Sequence, residues 1–335
     1  MKLQNTLYSI LDLALVSENT TLSETFSNVL ALAQSAEKFG YTRYWLAEHH
    51  NSENIGSSAT SVLIGYAAQG TNSIRIGSGG IMLPNHSPLI IAEQFGTLAA
   101  LHPNRIDLGL GRAPGTDRET AIAIRSDFME AAQDFPKEVE KIQQYFSVDN
   151  STAKVRATVA EGADVPLYIL GSSTDSAHLA AKKGLHYAFA SHFATAYLGS
   201  ALKIYREEFQ PSAALQKPYV IAGVNVIVAD TDEEAERLST SLIQLIVGLF
   251  TGKRRAVQPP TEMSNYYKEV LNNPQVHQML KYSFIGSKAT VKAQVKEFLA
   301  YTQADELIAV TNIYDNNDRI KSYQLFAEIM DELNA

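Results

Sequence analysis

The residues best suited to chemistry stand where an apolar segment of the chain ends. Residues 44–47 are apolar and lead directly into Glu48, His49 and His50, and a helix pattern begins near Ser57. A buried strand that ends in titratable residues just before a helix is where an α/β barrel holds its active site. Imidazole also changes its charge most easily near neutral pH. We therefore expect one imidazole, that of His49, to face the axis of a barrel.

Polar side chains or glycines also follow the other strand candidates. The starts of the strands are expected to carry fewer residues suited to chemistry. The positions that follow the strands are Asp12, His49, Gly79 with Gly80, Arg112, Ser172 with Ser173, His192, and Thr311 with Tyr314. The carboxyl ends of parallel barrel strands lie on one face of the barrel. These residues are therefore predicted to gather at a single site, which indicates an enzyme.

One of these positions has the composition of a phosphate site. Gly171, Ser172, Ser173 and Ser176 join a strand to a helix. Free backbone N–H groups at the start of a helix, small hydroxyl side chains and a glycine can cradle a phosphate. The same residue types are also ordinary helix caps that bind nothing. Arg112 could add a planar, permanently charged fork for a phosphate, or it could be a surface arginine in a turn.

Three further motifs leave alternatives open. The glycines within residues 77–80 indicate either a backbone that comes close to a flat ligand, because no Cβ stands in the way, or a strained turn without a ligand. His192 could form a second wall of the pocket or be a core histidine. A metal site at His49 and His50 is disfavoured, because neighbouring side chains at a strand end point to opposite sides.

Apolar runs and helix patterns alternate along the whole chain. About eight strand–helix units can be counted, which is the number that closes a (β/α)8 barrel. Residues of about 113–165 and of about 250–285 do not fit the alternation, and we predict that both are insertions in βα loops. The second insertion is a candidate for a mobile lid. Because no linker separates two compositions, residues 1–335 are predicted to form a single domain.

Composition narrows the classes of function. The net charge of −8 and the isoelectric point near 5.5 argue against a nucleic-acid partner, which would require a basic face. The absence of cysteine excludes disulfides, thiolate nucleophiles and cysteine-ligated metals. Residues 1–5 lack a signal-peptide pattern, and no apolar run is long enough to span a bilayer. The expected setting is the cytoplasm, without a membrane partner.

Together these motifs resemble the bacterial luciferase-like flavin monooxygenases, and in particular their single-chain, alkanal-monooxygenase-like subgroup. The matching segments, in family order, are EHH at 48–50, IGSGGIMLP at 76–84, GLGR at 109–112 and DELIAVT at 305–311. The resemblance runs from about Leu7 to Leu333. It implies a (β/α)8 TIM barrel with insertions in the βα loops, a homodimer, and FMN or its reduced form FMNH2 as the ligand.

The resemblance also implies which residues hold the flavin. Gly79 and Gly80 match the position of a non-prolyl cis peptide bond that packs against the flavin ring. Arg112, Ser173 and Ser176 match groups that hold the FMN phosphate. On this basis the phosphate cradle is favoured over a simple helix cap.

His49 matches the histidine implicated in proton handling beside the reduced flavin. Two positions differ from luciferase itself. Gly111 stands where luciferase carries a reactive cysteine, and Ser172 replaces an acidic residue. Light emission is therefore not implied.

The implied function is that of a two-component, FMN-dependent monooxygenase. Such an enzyme takes reduced FMN from a separate flavin reductase and uses O2 to oxygenate a small organic substrate, for example an alkanal. Two alternatives remain open. One is an oxidoreductase that transfers hydride with the deazaflavin coenzyme F420, and the other is a non-enzymatic flavin-binding protein.

Overall fold

Eight parallel strands close into a barrel, which confirms the predicted (β/α)8 fold. The computed structural model describes residues 5–253 and 255–335. Residues 1–4, which belong to the segment without a signal-peptide pattern, lie outside the described residues. The barrel strands, in order around the barrel, are β1 (Leu7–Asp12), β2 (Arg43–Leu46), β3 (Arg75–Met82), β4 (Ile106–Gly111), β5 (Leu167–Gly171), β6 (His186–Phe189), β7 (Val220–Ala229) and β9 (Glu306–Val310). Strand β9 pairs back with β1 and closes the ring.

Helices connect the strands and cover the barrel. They are α1 (Leu22–Lys38), α2 (Thr60–Gln69), α3 (Pro88–Leu101), α4 (Arg118–Ile124), α5 (Phe128–Gln133), α6 (Phe135–Phe146), α7 (Thr174–Lys183), α8 (Leu198–Glu208), α9 (Asp232–Thr251), α10 (Asn265–Asn272), α11 (Pro274–Met279), α12 (Lys288–Thr302) and α13 (Asn316–Asn334). None of the helices in the described residues is long and apolar enough to cross a membrane.

Two connections are much longer than the others. Helices α4, α5 and α6 lie between β4 and β5, and α9, α10 and α11 lie between β7 and the short strand β8 (Ser283–Ser287). Among the described residues, strand β8 pairs only with residues 225–229 of β7, beyond the part of β7 that pairs with β6. The sequence did not predict β8, and α9 enlarges the second connection on its amino-terminal side.

Two apolar layers stabilise the barrel. The larger layer lies between the strands and the surrounding helices and includes Ile10, Tyr44 and Phe95. The smaller layer fills the interior of the barrel with Leu11, Trp45 and other buried side chains. Ile10 and Leu11, like Tyr44 and Trp45, fall in different layers because successive strand residues point to opposite faces.

The amino-terminal ends of the strands enclose a cluster of charged side chains. The expectation that the strand starts carry few such residues was therefore wrong. Arg43 binds Glu306 and Asp107 at 2.8 Å each, and Arg75 binds the other oxygen of Asp107 at 2.6 Å. Arg43, Asp107 and Glu306 are buried. Two cations thus balance two anions, which offsets the cost of removing these charges from water. This end of the barrel is closed, and the opposite end is left for a ligand.

Candidate active site

The carboxyl ends of the barrel strands open into a cavity of about 1000 Å³. Of the predicted site residues, those that line it are His49, Gly79, Arg112, Gly171, Ser172, Ser173, Ser176 and His192. Gly79 lies within β3, and the other residues end or follow β2, β4, β5 and β6. The fold thus brings together side chains that are far apart in the sequence. Gly80 is not part of the wall.

Gly79 and Gly80 lie within strand β3, so the alternative of a strained turn was wrong. The peptide bond between them is cis. A Cβ on Gly79 would lie 2.6 Å from Leu11 Cδ1, and one on Gly80 would lie 2.8 Å from the carbonyl oxygen of Gly109. Packing against the main chain of β4 therefore requires glycine at position 80, while a Cβ at position 79 would displace the Leu11 side chain. Gly79 alone presents its backbone to the cavity.

The segment between β5 and α7 provides hydrogen-bond donors at one edge of the cavity. Ser173 is the N-cap residue of α7, but its side chain makes no capping hydrogen bond. The Ser176 hydroxyl donates to the Ser173 carbonyl oxygen at 2.9 Å and lies 3.1 Å from the Tyr187 hydroxyl. Ser173 therefore does not act as a helix cap through its side chain. Its hydroxyl and the first N–H groups of α7 are suited to bind an anion.

Arg112 reaches the same edge of the cavity from the end of β4. Its Nη2 atom lies 3.2 Å from Asp175 Oδ2, and the two side chains are 51% and 67% exposed. An ion pair this exposed contributes little to stability. The guanidinium has five N–H donors, so it can bind a phosphate while it keeps this contact.

Two histidines lie in the cavity wall. His192 Nδ1 is buried and has no hydrogen-bond partner among the described residues. Burial, together with repulsion from His49, lowers the pKa of His192 to about 4. Its ring fits against Gly223, where a Cβ would lie 2.5 Å from Nδ1. His192 is therefore neutral at pH 7, and its ring can exchange a hydrogen bond with a ligand without adding charge.

Glu48 holds the main chain beside His49 through a buried hydrogen-bond network. Its carboxylate accepts from His50 at 2.8 Å, from His86 at 2.9 Å and from the backbone N–H of Met82 at 2.9 Å. Burial alone would raise the pKa of Glu48, but the hydrogen bonds from His50 and His86 outweigh it and lower the pKa to about 2. The network joins the ends of β2 and β3, which positions His49 at the cavity.

Three polar residues that follow strands lie elsewhere. Asp12 pairs with the buried Arg319 at 2.5 Å. The Thr311 hydroxyl donates to the Val226 carbonyl oxygen, and the Tyr314 hydroxyl donates to the carbonyl oxygen of residue 18. None of the three lines the cavity. Their position after a strand correctly predicted that they lie at the carboxyl-terminal end of the barrel. Their side chains, however, bond to other parts of the protein and stabilise the fold.

Other wall residues were missed in the sequence. Met82 lines the cavity and fills the space beside Gly111, where a Cβ would lie 2.8 Å from its sulfur. Asn225 also lines the cavity, and its amide donates to the His192 carbonyl oxygen at 2.5 Å. Asn225 could have been identified from the sequence, because it is the polar residue of the otherwise apolar strand β7. Asn312, just after β9, lines the cavity as well.

A second cavity of about 580 Å³ adjoins the first. The residues common to both walls are His49, Gly115, Leu242, Ile246, Leu249 and Asn312. Leu242, Ile246 and Leu249 are spaced along one face of α9, so this helix divides the two spaces. His49 has access to both.

The main cavity suits FMN on chemical grounds. A cation, the Ser173 hydroxyl that does not cap α7 and a helix N-terminus lie at one edge, as a phosphate requires. Leu11 and Trp45 contribute apolar wall next to Gly79, and Ala188 adds apolar wall in the same cavity, as a flat aromatic ring requires. The buried Nδ1 of His192 offers a hydrogen bond that the described residues do not use.

Comparison with known proteins places the chain in a family. The family profile described as "Luciferase-like monooxygenase" matches residues 8–306. A protein of Escherichia coli K12 named luciferase-like monooxygenase is 46% identical over 326 residues, which are 97% of each chain. A Bacillus subtilis protein named N-acetyl-S-alkylcysteine monooxygenase is 34% identical over 92% of this chain and 90% of its own. The chain belongs to the luciferase-like monooxygenase family, as the resemblance predicted, and is an enzyme of that family.

Solved structures agree with this fold. The crystal structure of apo-MsnO8 covers 97% of this chain and 98% of its own with a TM-score of 0.89 and 32% identity. The oxygenating constituent of 3,6-diketocamphane monooxygenase from Pseudomonas putida, in complex with FMN, covers 97% of each chain with a TM-score of 0.73 and 15% identity. An F420-dependent secondary alcohol dehydrogenase covers 96% of this chain and 98% of its own with a TM-score of 0.69 and 16% identity. At these low identities, the last two share the fold alone.

Proposed function

We propose that this protein is an FMN-dependent monooxygenase that uses reduced FMN and O2 to oxygenate a small organic substrate. The observation that carries the proposal is the single cavity that combines an anion-binding edge, the backbone of Gly79 and His49. Reduced FMN, when bound, supplies the two electrons with which one atom of O2 enters the substrate and the other leaves as water.

Arg112, Ser173, Ser176 and the first turn of α7 would hold the FMN phosphate. Charge-assisted hydrogen bonds from a guanidinium to a phosphate are among the strongest in proteins, and the helix N-terminus adds a favourable dipole. Ser173 supports this role because its hydroxyl is not used to cap α7. Gly171 allows the close approach of Ser176, since a Cβ on Gly171 would overlap the Ser176 side chain.

His49 would hold or move the proton that the reaction requires. It stands at the end of β2, where both cavities meet and where the Glu48 network fixes the main chain. The neutral His192 lies in the same wall. A general acid or base of this kind accelerates a reaction by about 10²–10⁴-fold.

The connection between β7 and α12 would exclude water from the reaction. Leu242, Ile246 and Leu249 of α9, together with Met279 and Leu280, line the cavity. An apolar cover strengthens electrostatic interactions within a site and limits side reactions. The stretch of about 250–285 would act as the lid expected for this segment.

The substrate and the source of electrons are further parts of the proposal. An alkanal is one candidate substrate, and the relative named for N-acetyl-S-alkylcysteine suggests that functionalised alkyl compounds are another. The diketocamphane protein is named as an oxygenating constituent, which supports a separate flavin reductase as partner. We place the reaction in the cytoplasm.

We also propose a homodimer. Val62 and Tyr66 on α2 and Ile90 and Leu101 on α3 are exposed apolar side chains. The two helices pack side by side, since a Cβ on Gly65 of α2 would contact a side chain of α3. A shared apolar surface on adjacent helices favours association.

Oxygen uptake tests this function. The purified protein is mixed with reduced FMN from a flavin reductase, O2 and a series of alkanals, and oxygen consumption coupled to product is measured. Product formed with FMN supports the proposal. Turnover with reduced coenzyme F420 but not with FMN would instead favour the hydride-transfer alternative. An F420-dependent dehydrogenase with the same fold is the reason to test that coenzyme. Tight flavin binding without turnover would favour a storage protein.

A further inference from the structure

The second cavity differs in chemistry from the main one. Its wall combines apolar side chains of α9, amide side chains such as Gln244 and Gln258, and the two cations Lys253 and Arg255. No aspartate or glutamate is among its described lining residues. In a chain with 36 acidic and 28 basic residues, a cavity with cations and no carboxylate favours an anionic ligand.

Lys253 and Arg255 are available to such a ligand. Both side chains are exposed, and both line the cavity. Neither has an ion pair or a side-chain hydrogen bond within the described part of the chain. A guanidinium binds a carboxylate with two parallel hydrogen bonds, and an ammonium adds a compact charge. Since no carboxylate among the described residues neutralises them, a ligand carboxylate would meet no competing partner there.

The rest of the wall suits an apolar chain. Leu245 and Val247 of α9 line the second cavity, and Leu242, Ile246 and Leu249 lead from it to the main cavity. A ligand with its charged group at Lys253 and Arg255 would therefore extend its apolar part toward His49. A volume of about 580 Å³ is within the range of small-molecule sites.

We propose that the second cavity binds an amphipathic organic acid, with its carboxylate at Lys253 and Arg255 and its apolar end directed along α9 toward His49. This inference rests on the proposed function, because it makes the ligand the substrate that is oxygenated. It names a substrate class, a carboxylate that carries an alkyl chain, in place of a neutral alkanal. The oxygenated group would then be at the apolar end, away from the carboxylate.

Calorimetric titration with octanoate and with octan-1-ol tests the site without any turnover. The two probes share a chain length and differ in charge. Wild-type protein should bind octanoate at least about tenfold more tightly than the alcohol, a difference of about 1.4 kcal/mol. The preference should fall as salt is added, because exposed charges are screened. Acetate, which has the charge without the chain, should bind at least about tenfold more weakly than octanoate.

The variants Lys253→Gln and Arg255→Gln, alone and combined, test whether these two cations cause the preference for octanoate. The double variant should lose the preference for octanoate and bind octan-1-ol as the wild type does. Lys268→Gln removes an exposed cation of α10 that does not line the cavity, and it should change neither affinity. FMN affinity should be unchanged in the double variant. A loss of FMN affinity there would show that these cations serve the flavin phosphate, and it would overturn the inference.

These experiments distinguish a failure of the carboxylate-binding inference from a failure of the proposed monooxygenase function. If reduced FMN supports oxygenation of alkanals but octanoate binds no better than octan-1-ol, the inference is wrong and the monooxygenase stands. If octanoate binds through Lys253 and Arg255 but no carboxylic acid or alkanal is oxygenated with reduced FMN, the cavity is an anion site and the proposed function fails.

Discussion

Arg112 at the end of β4 and Asp175 in the first turn of α7 form an ion pair of 3.2 Å at the rim of the main cavity. The pair joins the two elements that would surround the FMN phosphate. A phosphate that binds Arg112 gains a cation but also approaches the Asp175 carboxylate. The two side chains should therefore have opposite effects on flavin affinity.

Replacing Arg112 by Ala should weaken FMN binding by about tenfold to a hundredfold, because a charge-assisted hydrogen bond contributes about 1.5–3 kcal/mol. Replacing Asp175 by Asn should strengthen binding by roughly two- to fivefold, since a repulsive charge is removed. Fluorescence titration with FMN measures both. The free energy of unfolding should change by less than about 1 kcal/mol in each, because the pair is exposed. Equal effects of the same sign would contradict the phosphate assignment.

Replacing His49 by Asn should lower kcat by about 10²-fold while the affinity for FMN changes by less than about threefold, since the proposed role of His49 is proton handling. Steady-state turnover and FMN titration provide the two values. His192→Gln is the matched comparison. Because burial holds the pKa of His192 at about 4, this variant should leave the shape of the pH profile between pH 6 and pH 8 unchanged. A normal kcat in His49→Asn would exclude His49 as the proton carrier.

Replacing Glu48 by Gln should destabilise the protein in a way that depends on pH. The folded pKa of about 2 lies below the ordinary value of 4.5, so the carboxylate stabilises the fold fully above pH 4.5. This contribution, about 3 kcal/mol, is lost as the pH falls toward 2. Urea unfolding should therefore show a gap between wild type and variant at pH 7 that narrows in acid. Glu53→Gln, at an exposed position, should produce a change below about 0.5 kcal/mol at every pH.

Light scattering after size exclusion should give twice the chain mass of 36.7 kDa. The double variant Val62→Glu and Leu101→Glu should elute as a monomer, because charges on α2 and α3 would have to be buried. Val148→Glu is a matched control, since Val148 is as exposed as Val62, at 68%, but lies elsewhere. It should leave the mass unchanged. A wild-type monomer would rule out the proposed dimer.

The sequence predicted the barrel well because most of its strands contain a short apolar run. All eight predicted strands are present. Strand β8 escaped notice because residues 283–287 contain only two apolar side chains and pair only with the outer end of β7. Periodicity detects a strand that is buried on a face, and β8 provides too few such positions.

The side-chain networks were harder to predict than the strands. Glu48 was noticed as part of a motif, but its partner His86 is 38 residues further along the chain. Arg43, Asp107 and Glu306 meet inside the barrel from three different strands. Such contacts depend on the register and closure of the sheet, which one sequence does not specify. The position of a residue after a strand indicated the correct end of the barrel, but not where its side chain points.

A crystal structure of the protein with FMN would show directly whether the main cavity is the flavin site. We expect the phosphate within hydrogen-bond distance of Arg112, Ser173 and Ser176, and the flavin ring against Gly79 with His49 beside it. FMN bound in the second cavity, or with its phosphate at Lys253 and Arg255, would show that the main cavity is not the flavin site.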